Sequence, residues 1–255
     1  MAAIAEEVID RIAPTLRPFS PVVGYQNWRD LLFLHWPVPV EVLRPLVPAP
    51  LSIDTYEGMA YVGLVPFWMI GVRPNWAPGW SAFRFLETNV RTYTHLNGRD
   101  PGVYFFSLEA ASTLAVAIAR AQFSLPYYWA KMGIRRHGRQ IEYRSRRILG
   151  GRPRTWVRFE PGEYLGNSKP GSLEHFLIER YYLHVEREGQ IWRGQVHHTS
   201  YPVQRARLLG LHDELIGAAG LPQPTTPPPL VHYVPGVNVE IFGIQPVDSS
   251  PLAAR

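Results

Sequence analysis

Short apolar and aromatic runs separated by turn residues dominate this chain, and few segments carry a helical period. Between 140 and 148, Ile141 and Tyr143 alternate with Glu142 and Arg144. That is a strand pattern, flanked by the turn pairs His137-Gly138 and Gly150-Gly151. Further runs over 59–68, 85–96, 102–109, 155–160, 181–186, 190–197 and 237–244 predict strands of the same kind. Asn97-Gly98 and Arg187-Glu188-Gly189 predict hairpins between neighbouring runs. Helical spacing is confined to 3–13 (Ile4, Val8, Ile9, Ile12, stopping before Pro14), to 40–47 between Pro39 and Pro48, and to 172–180 and 206–219. The expected architecture is mainly β with some helix (α+β): an antiparallel, barrel-like sheet flanked by a few short helices. It forms a single domain over 1–255, with 1–20 as an N-terminal helix and lead-in and 221–230 as a Pro-rich surface loop.

Composition narrows the chemistry. With 255 residues, 46% hydrophobic and 13% aromatic, the chain can bury a sizeable core. It has no cysteine, which excludes disulfides, thiolate nucleophiles and thiolate metal sites. Glu6, Glu7 and Asp10 stand where a signal peptide needs positive charge. Pro66 and Arg120 interrupt the apolar runs 61–72 and 114–125, both shorter than the roughly 20 residues a bilayer requires. A cytoplasmic protein without a membrane partner is expected. The net charge of +5 comes mostly from arginine, because Lys131 and Lys169 are the only lysines among 26 basic side chains. Nine arginines lie between 135 and 158, opposed there only by Glu142. Such a segment is either the solvated face of a hairpin or a surface for an acidic partner. No helix-turn-helix, zinc-finger or RNP-like pattern accompanies it, so nucleic acid is disfavoured.

The scarcity of lysine matters because a lysine amine can lose its proton and attack a carbonyl, whereas arginine only binds or orients. The run Val47-Pro48-Ala49-Pro50-Leu51-Ser52-Ile53-Asp54 resembles a Val-Pro-x-Pro-Leu-x-Ile-Asp segment of acetoacetate decarboxylase. In the same register Arg29 and Glu87 match an active-site Arg and Glu of that family, and Ala117–Arg120 with Pro126 matches its lysine-bearing segment. Closer still is a bacterial branch, the YqjF-like proteins. Its signatures are resembled by His35–Pro39, Asn89–Tyr93, Gly102–Leu108, Leu125–Tyr128 and Pro170–Phe176.

The resemblance implies a barrel-like fold, a small carboxylate or carbonyl ligand, and compatibility with a homo-oligomer. It also carries a departure. The two lysines that follow the proline in the decarboxylase are Tyr127 and Tyr128 here, and a second active-site Glu falls near Gly63. A phenol cannot form an imine, so decarboxylation by the family mechanism is disfavoured. Lys131 lies on the same face as Tyr127 if the segment is extended, but roughly 13 Å further along.

The candidate site therefore comprises Glu87, Tyr127 and Tyr128 as acid/base groups, with Arg29 and Arg120 binding the substrate and Lys131 as a weaker nucleophile. The alternative for Arg29 and Glu87 is a buried structural ion pair. Only one of the two tyrosines can face a cavity. The nine histidines show no metal-ligand spacing, and no P-loop, Gly-x-Gly-x-x-Gly or Gly-x-Ser-x-Gly occurs, so neither metal nor cofactor is expected. His175 and Glu179 are spaced to pair on one helical face. The reading is a small-molecule enzyme using non-covalent acid/base chemistry. Its alternatives are a ligand-binding or sensor protein on the same fold, or an interaction protein using the hairpin 135–158.

Overall fold

The computed structural model describes residues 9–113 and 125–247. Twelve strands form one sheet: β1 (Val22–Val38), β2 (Ser52–Ile53), β3 (Ala60–Pro74), β4 (Phe83–Leu96), β5 (Arg99–Ala110) and β6 (Tyr127–His137). They continue with β7 (Gln140–Arg147), β8 (Arg154–Gly166), β9 (Tyr182–Arg187), β10 (Gln190–His197), β11 (Val203–Asp213) and β12 (Leu230–Pro246). The order is β10-β9-β5-β6-β7-β8-β11-β12-β1-β3-β4-β2, with further pairings β10–β12 and β5–β4.

These pairings close two rings. One runs β12-β1-β3-β4-β5-β9-β10, the other β12-β1-β3-β4-β5-β6-β7-β8-β11, and they share β12, β1, β3, β4 and β5. Closure removes exposed edges from the long strands. The sheet is antiparallel except where β5 forks, pairing in parallel with β6 through Leu108–Ala110 and with β9 through Gly102–Tyr104. The antiparallel expectation is corrected at these two pairings.

Each face of the shared strands packs a separate core. Leu31 and Phe33 of β1 join Val65, Phe67 and Tyr93 in the first ring, while Leu32, Leu34 and Trp36 join Leu64, Val90 and Phe159 in the second. A strand buried on both faces reads as a continuous apolar run rather than an alternating one. That is why β1, although 17 residues long, has no period-2 signal.

Asn97-Gly98 and Glu188-Gly189 form two-residue turns with positive φ at both positions (47° and 78°, 51° and 79°), joining β4 to β5 and β9 to β10. The helix near 172–180 spans Leu173–Ile178, with the Ser172 side chain capping the His175 amide. The helix near 40–47 is Val40–Leu43 followed by a 3-10 turn Arg44–Leu46.

Two helical expectations are corrected. Residues 206–219 are mostly β11, and only Leu215–Ala218 is helical. Leu209 bulges out of the ladder, because Leu208 opposes Phe159 and Gly210 opposes Arg158. The bulge turns Leu208 and Leu211 to the same core, a three-residue spacing that imitates a helix. Of the expected N-terminal helix, 3–8 lie outside the described residues, and 9–12 are irregular before a 3-10 turn Ala13–Thr15. The Asp10 carboxylate accepts from the Ile12 and Ala13 amides there, at 2.8 and 3.0 Å. None of the described helices is long and apolar enough to cross a membrane.

Candidate functional site

Strand β4 carries a polar stripe into the first core. Glu87, Asn89 and Arg91 oppose Phe67, Val65 and Gly63 of β3, so all share the inward face with Phe85 and Tyr93. On the other side Ala110 and Leu108 of β5 oppose Glu87 and Asn89, and Tyr127 lies beside Leu108 across the parallel pairing. Tyr127 Oη thereby donates to Glu87 Oε2 at 2.7 Å. Both residues are buried. Burial pushes the Glu87 carboxyl up to about 7, against hydrogen bonds from Tyr127 and Asn89 that favour the charged form. Burial and the neighbouring Glu87 hold the Tyr127 phenol well above its ordinary range. Asn89 Oδ1 is buried without a hydrogen-bond partner among the described residues.

Arg91, 9% exposed, forms no ion pair among the described residues. Its guanidinium lies 5.3 Å from the Phe33 ring centre and donates to the Leu177 carbonyl at 3.2 Å. That carbonyl belongs to the last turn of the helix Leu173–Ile178, where carbonyls lack helical partners. Tyr93 Oη also donates to it, at 2.8 Å, so the 2.6 Å contact between His35 Nε2 and Tyr93 Oη has the imidazole as donor. The arrangement assigns a neutral Nε2–H tautomer to His35, consistent with burial and the nearby Arg91 driving its pKa well down. His35 Nδ1 and Arg91 Nε are buried without a hydrogen-bond partner among the described residues.

The other residues singled out from sequence separate around this stripe. Arg29 donates to the Trp28 and Val237 carbonyls and to Asn238 Oδ1, at 2.9, 2.7 and 2.7 Å. Trp28, Val237 and Val239 pack on the first core, so Arg29 and Asn238 point to the opposite face. The structure thus turns Arg29 away from the face that carries Glu87; it clamps β1 to β12, and among the described residues it forms no ion pair with Glu87. Tyr128 faces the second ring, where the Arg147 guanidinium lies 3.6 Å from its ring centre and grips Glu109. Lys131 is exposed on β6, further along the extended strand from Tyr127. Arg120 lies outside the described residues.

A Cβ at Gly63 would sit 3.1 Å from the His35 ring, which would have to give by a few tenths of an ångström, and 3.4 Å from Arg91 Cγ, so a side chain there would crowd His35 first. Glu179 does not pair with His175. It accepts instead from Tyr181 Oη and the Tyr201 amide, at 2.7 and 2.9 Å. Asp54, the last residue of the Val47–Asp54 run, takes Arg180 in a buried ion pair at 2.7 Å. No cluster of His, Asp or Glu among the described residues is arranged to hold a metal ion.

Sequence reasoning missed Asn89 and Arg91 as site residues. Their signal was present: polar residues at 87, 89 and 91 alternate with Leu86 and Val90, putting charge on the face that the flanking Phe85 and Tyr93 mark as inward.

The chain matches the DUF2071 family, described as "Uncharacterized conserved protein", over residues 25–238. It is 36% identical to the "Uncharacterized protein YqjF" of Bacillus subtilis (strain 168) over 209 residues, 82% of this chain and 86% of that protein. Among solved structures it is similar to the enduracididine biosynthesis enzyme MppR complexed with pyruvate, with a TM-score of 0.62 and 13% identity over 91% of this chain and 93% of that one. An acetoacetate decarboxylase-like enzyme from Sphingomonas wittichii RW1 is similar too, with a TM-score of 0.60 and 11% identity over 90% and 95%. With two fused rings built on that fold and 36% identity to YqjF, the chain belongs to the DUF2071 family and is a YqjF-like protein with an acetoacetate decarboxylase-like fold.

Proposed function

We propose that the first ring houses a small-molecule acid/base site centred on Glu87 and Tyr127, which handles a small carboxylate or carbonyl compound without an imine. The observation that carries this reading is Glu87, buried yet poised at about 7, where it can take or release a proton near neutral pH. Tyr127 Oη, hydrogen-bonded to that carboxyl, is placed to polarise a carbonyl oxygen. Arg91, two strand pairs along the same face and without a carboxylate partner among the described residues, supplies the positive charge that a carboxylate ligand requires. The complex of MppR with pyruvate supports a ligand of this class. The exposed position of Lys131 supports chemistry that is non-covalent at the protein.

A non-catalytic binding or sensor role is the second reading, favoured by one observation. The place of a second carboxylate is taken by Gly63 and crowded by the His35 ring, leaving Glu87 without the acidic neighbour that the family pattern supplies. Incubation with pyruvate or acetoacetate, followed by proton NMR and thermal melting, separates the readings. Consumption that Glu87→Gln abolishes supports the enzyme. A rise in melting temperature without consumption, lost in Arg91→Gln, supports the sensor. If neither ligand is consumed or raises the melting temperature, the site reading fails.

A further inference from the structure

The outer face of β6, β7 and β8 carries a row of like charges with no local reason to be there. Cross-strand register places Lys131 opposite Arg146, and Arg146 opposite Arg154. Directly opposed side chains of an antiparallel pair stand about 5 Å apart, and like charges in that position destabilise the sheet. Lys131 and Arg146 form no ion pair among the described residues, and Arg154 reaches only Glu214, at 3.6 Å. One pair further along, Gly133 opposes Arg144 and Arg144 opposes Trp156. Gly133 has nothing within 4 Å of where a Cβ would be, which leaves the groove floor open beside Arg144, while the Trp156 ring lies on the far side of Arg144, over Gly210 of β11. Together these residues line a groove of about 630 Å³, on which Glu142, already tied to Arg144 at 2.7 Å, is the one carboxylate. A volume of this size falls within the range of about 300–1,000 Å³ typical of small-ligand sites.

We propose that this groove binds a small phosphorylated ligand, with its phosphoryl group over the row Lys131–Arg146–Arg154 and its body over the open floor at Gly133 beside Arg144. A doubly charged tetrahedral group can meet cations of neighbouring strands at once, and arginine forks match phosphate oxygens in pairs. The bound anion converts the repulsion within the row into attraction. The site is independent of Glu87 and Tyr127, which face the first core.

The test is calorimetric titration with inorganic pyrophosphate and with AMP at fixed ionic strength, on wild type and on Arg146→Gln, Lys131→Gln and Arg139→Gln. Arg139 is an exposed arginine on the turn after β6 that does not line the groove. Both ligands are expected to bind, with AMP bound more tightly than pyrophosphate through its ring. Arg146→Gln and Lys131→Gln should each weaken binding about tenfold or more, as expected for losing one charge-assisted contact. Arg139→Gln should leave it unchanged. In the ligand-free protein Arg146→Gln should melt no lower than wild type, since it relieves two opposed like-charge contacts. Failure of both ligands to bind overturns the proposal, as does equal weakening by Arg139→Gln, which would indicate diffuse charge. Tighter binding of an oligo-dT 20-mer than of AMP, with a steep salt dependence, would also overturn it in favour of a nucleic-acid surface.

Discussion

Replacing Glu87 by Gln preserves size and an acceptor for Tyr127 while deleting one titration. The ordinary carboxyl value of 4.5 rises to about 7 in the folded protein, chiefly through burial. Between these two pH values the folded chain holds a proton that the unfolded chain has released. The associated stability is therefore fully present below about 4.5 and is lost as pH rises through about 7. At about 1.4 kcal/mol per pH unit, the difference amounts to about 3 kcal/mol. Urea unfolding of wild type and Glu87→Gln at pH 5 and pH 8 measures it. Wild type should lose about 2.5 kcal/mol more than the variant between those conditions, since the loss between pH 4.5 and 5 falls outside the window. Glu109 and Glu179, whose carboxyls burial also raises, titrate in both proteins and cancel in the comparison. Whatever Gln costs in packing is also common to both pH values. Parallel stability curves for the two proteins would refute the assignment of Glu87 as a buried, near-neutral acid, and with it the proposed site.

Acetoacetate with borohydride, which traps an imine as a mass adduct on lysine, should leave no adduct above a denatured control, because Lys131 is exposed and Tyr127 and Tyr128 occupy the lysine positions. An adduct at Lys131 that Lys131→Arg abolishes would restore a Schiff-base mechanism. Arg29→Ala should cost about 1–3 kcal/mol in urea unfolding through the lost contacts to Trp28, Val237 and Asn238, and should leave any pyruvate-induced thermal shift unchanged. Loss of that shift with stability intact would place Arg29 in the ligand site after all.

Local features were legible where local physics decides them. Asn97-Gly98 forms its turn because two successive residues there take positive φ, which Asn and Gly adopt at little cost. Glu87 and Tyr127, chosen on a family register, do meet, since Glu87 from β4 and Tyr127 from the start of β6, at the fork of β5, both point into the first core. The rest depended on pairings between distant segments. The fork of β5 decides that Tyr127 faces the first core and Tyr128 the second, and nothing within Leu125–Tyr128 encodes that fork. Arg29 is turned from the first core by its position beside Trp28, which packs inward, and Arg91 is turned toward it by its even spacing from Glu87 on β4. One arginine thus grips backbone carbonyls while another stands buried without a carboxylate. The sequence by itself determined which residue types were available: a lysine-poor, cysteine-free chain with tyrosines where an imine-forming pair would stand. Only the tertiary structure decided which polar side chains share a face, because side-chain direction in a strand reverses with every residue and every bulge, and register is set by partners far away in the chain.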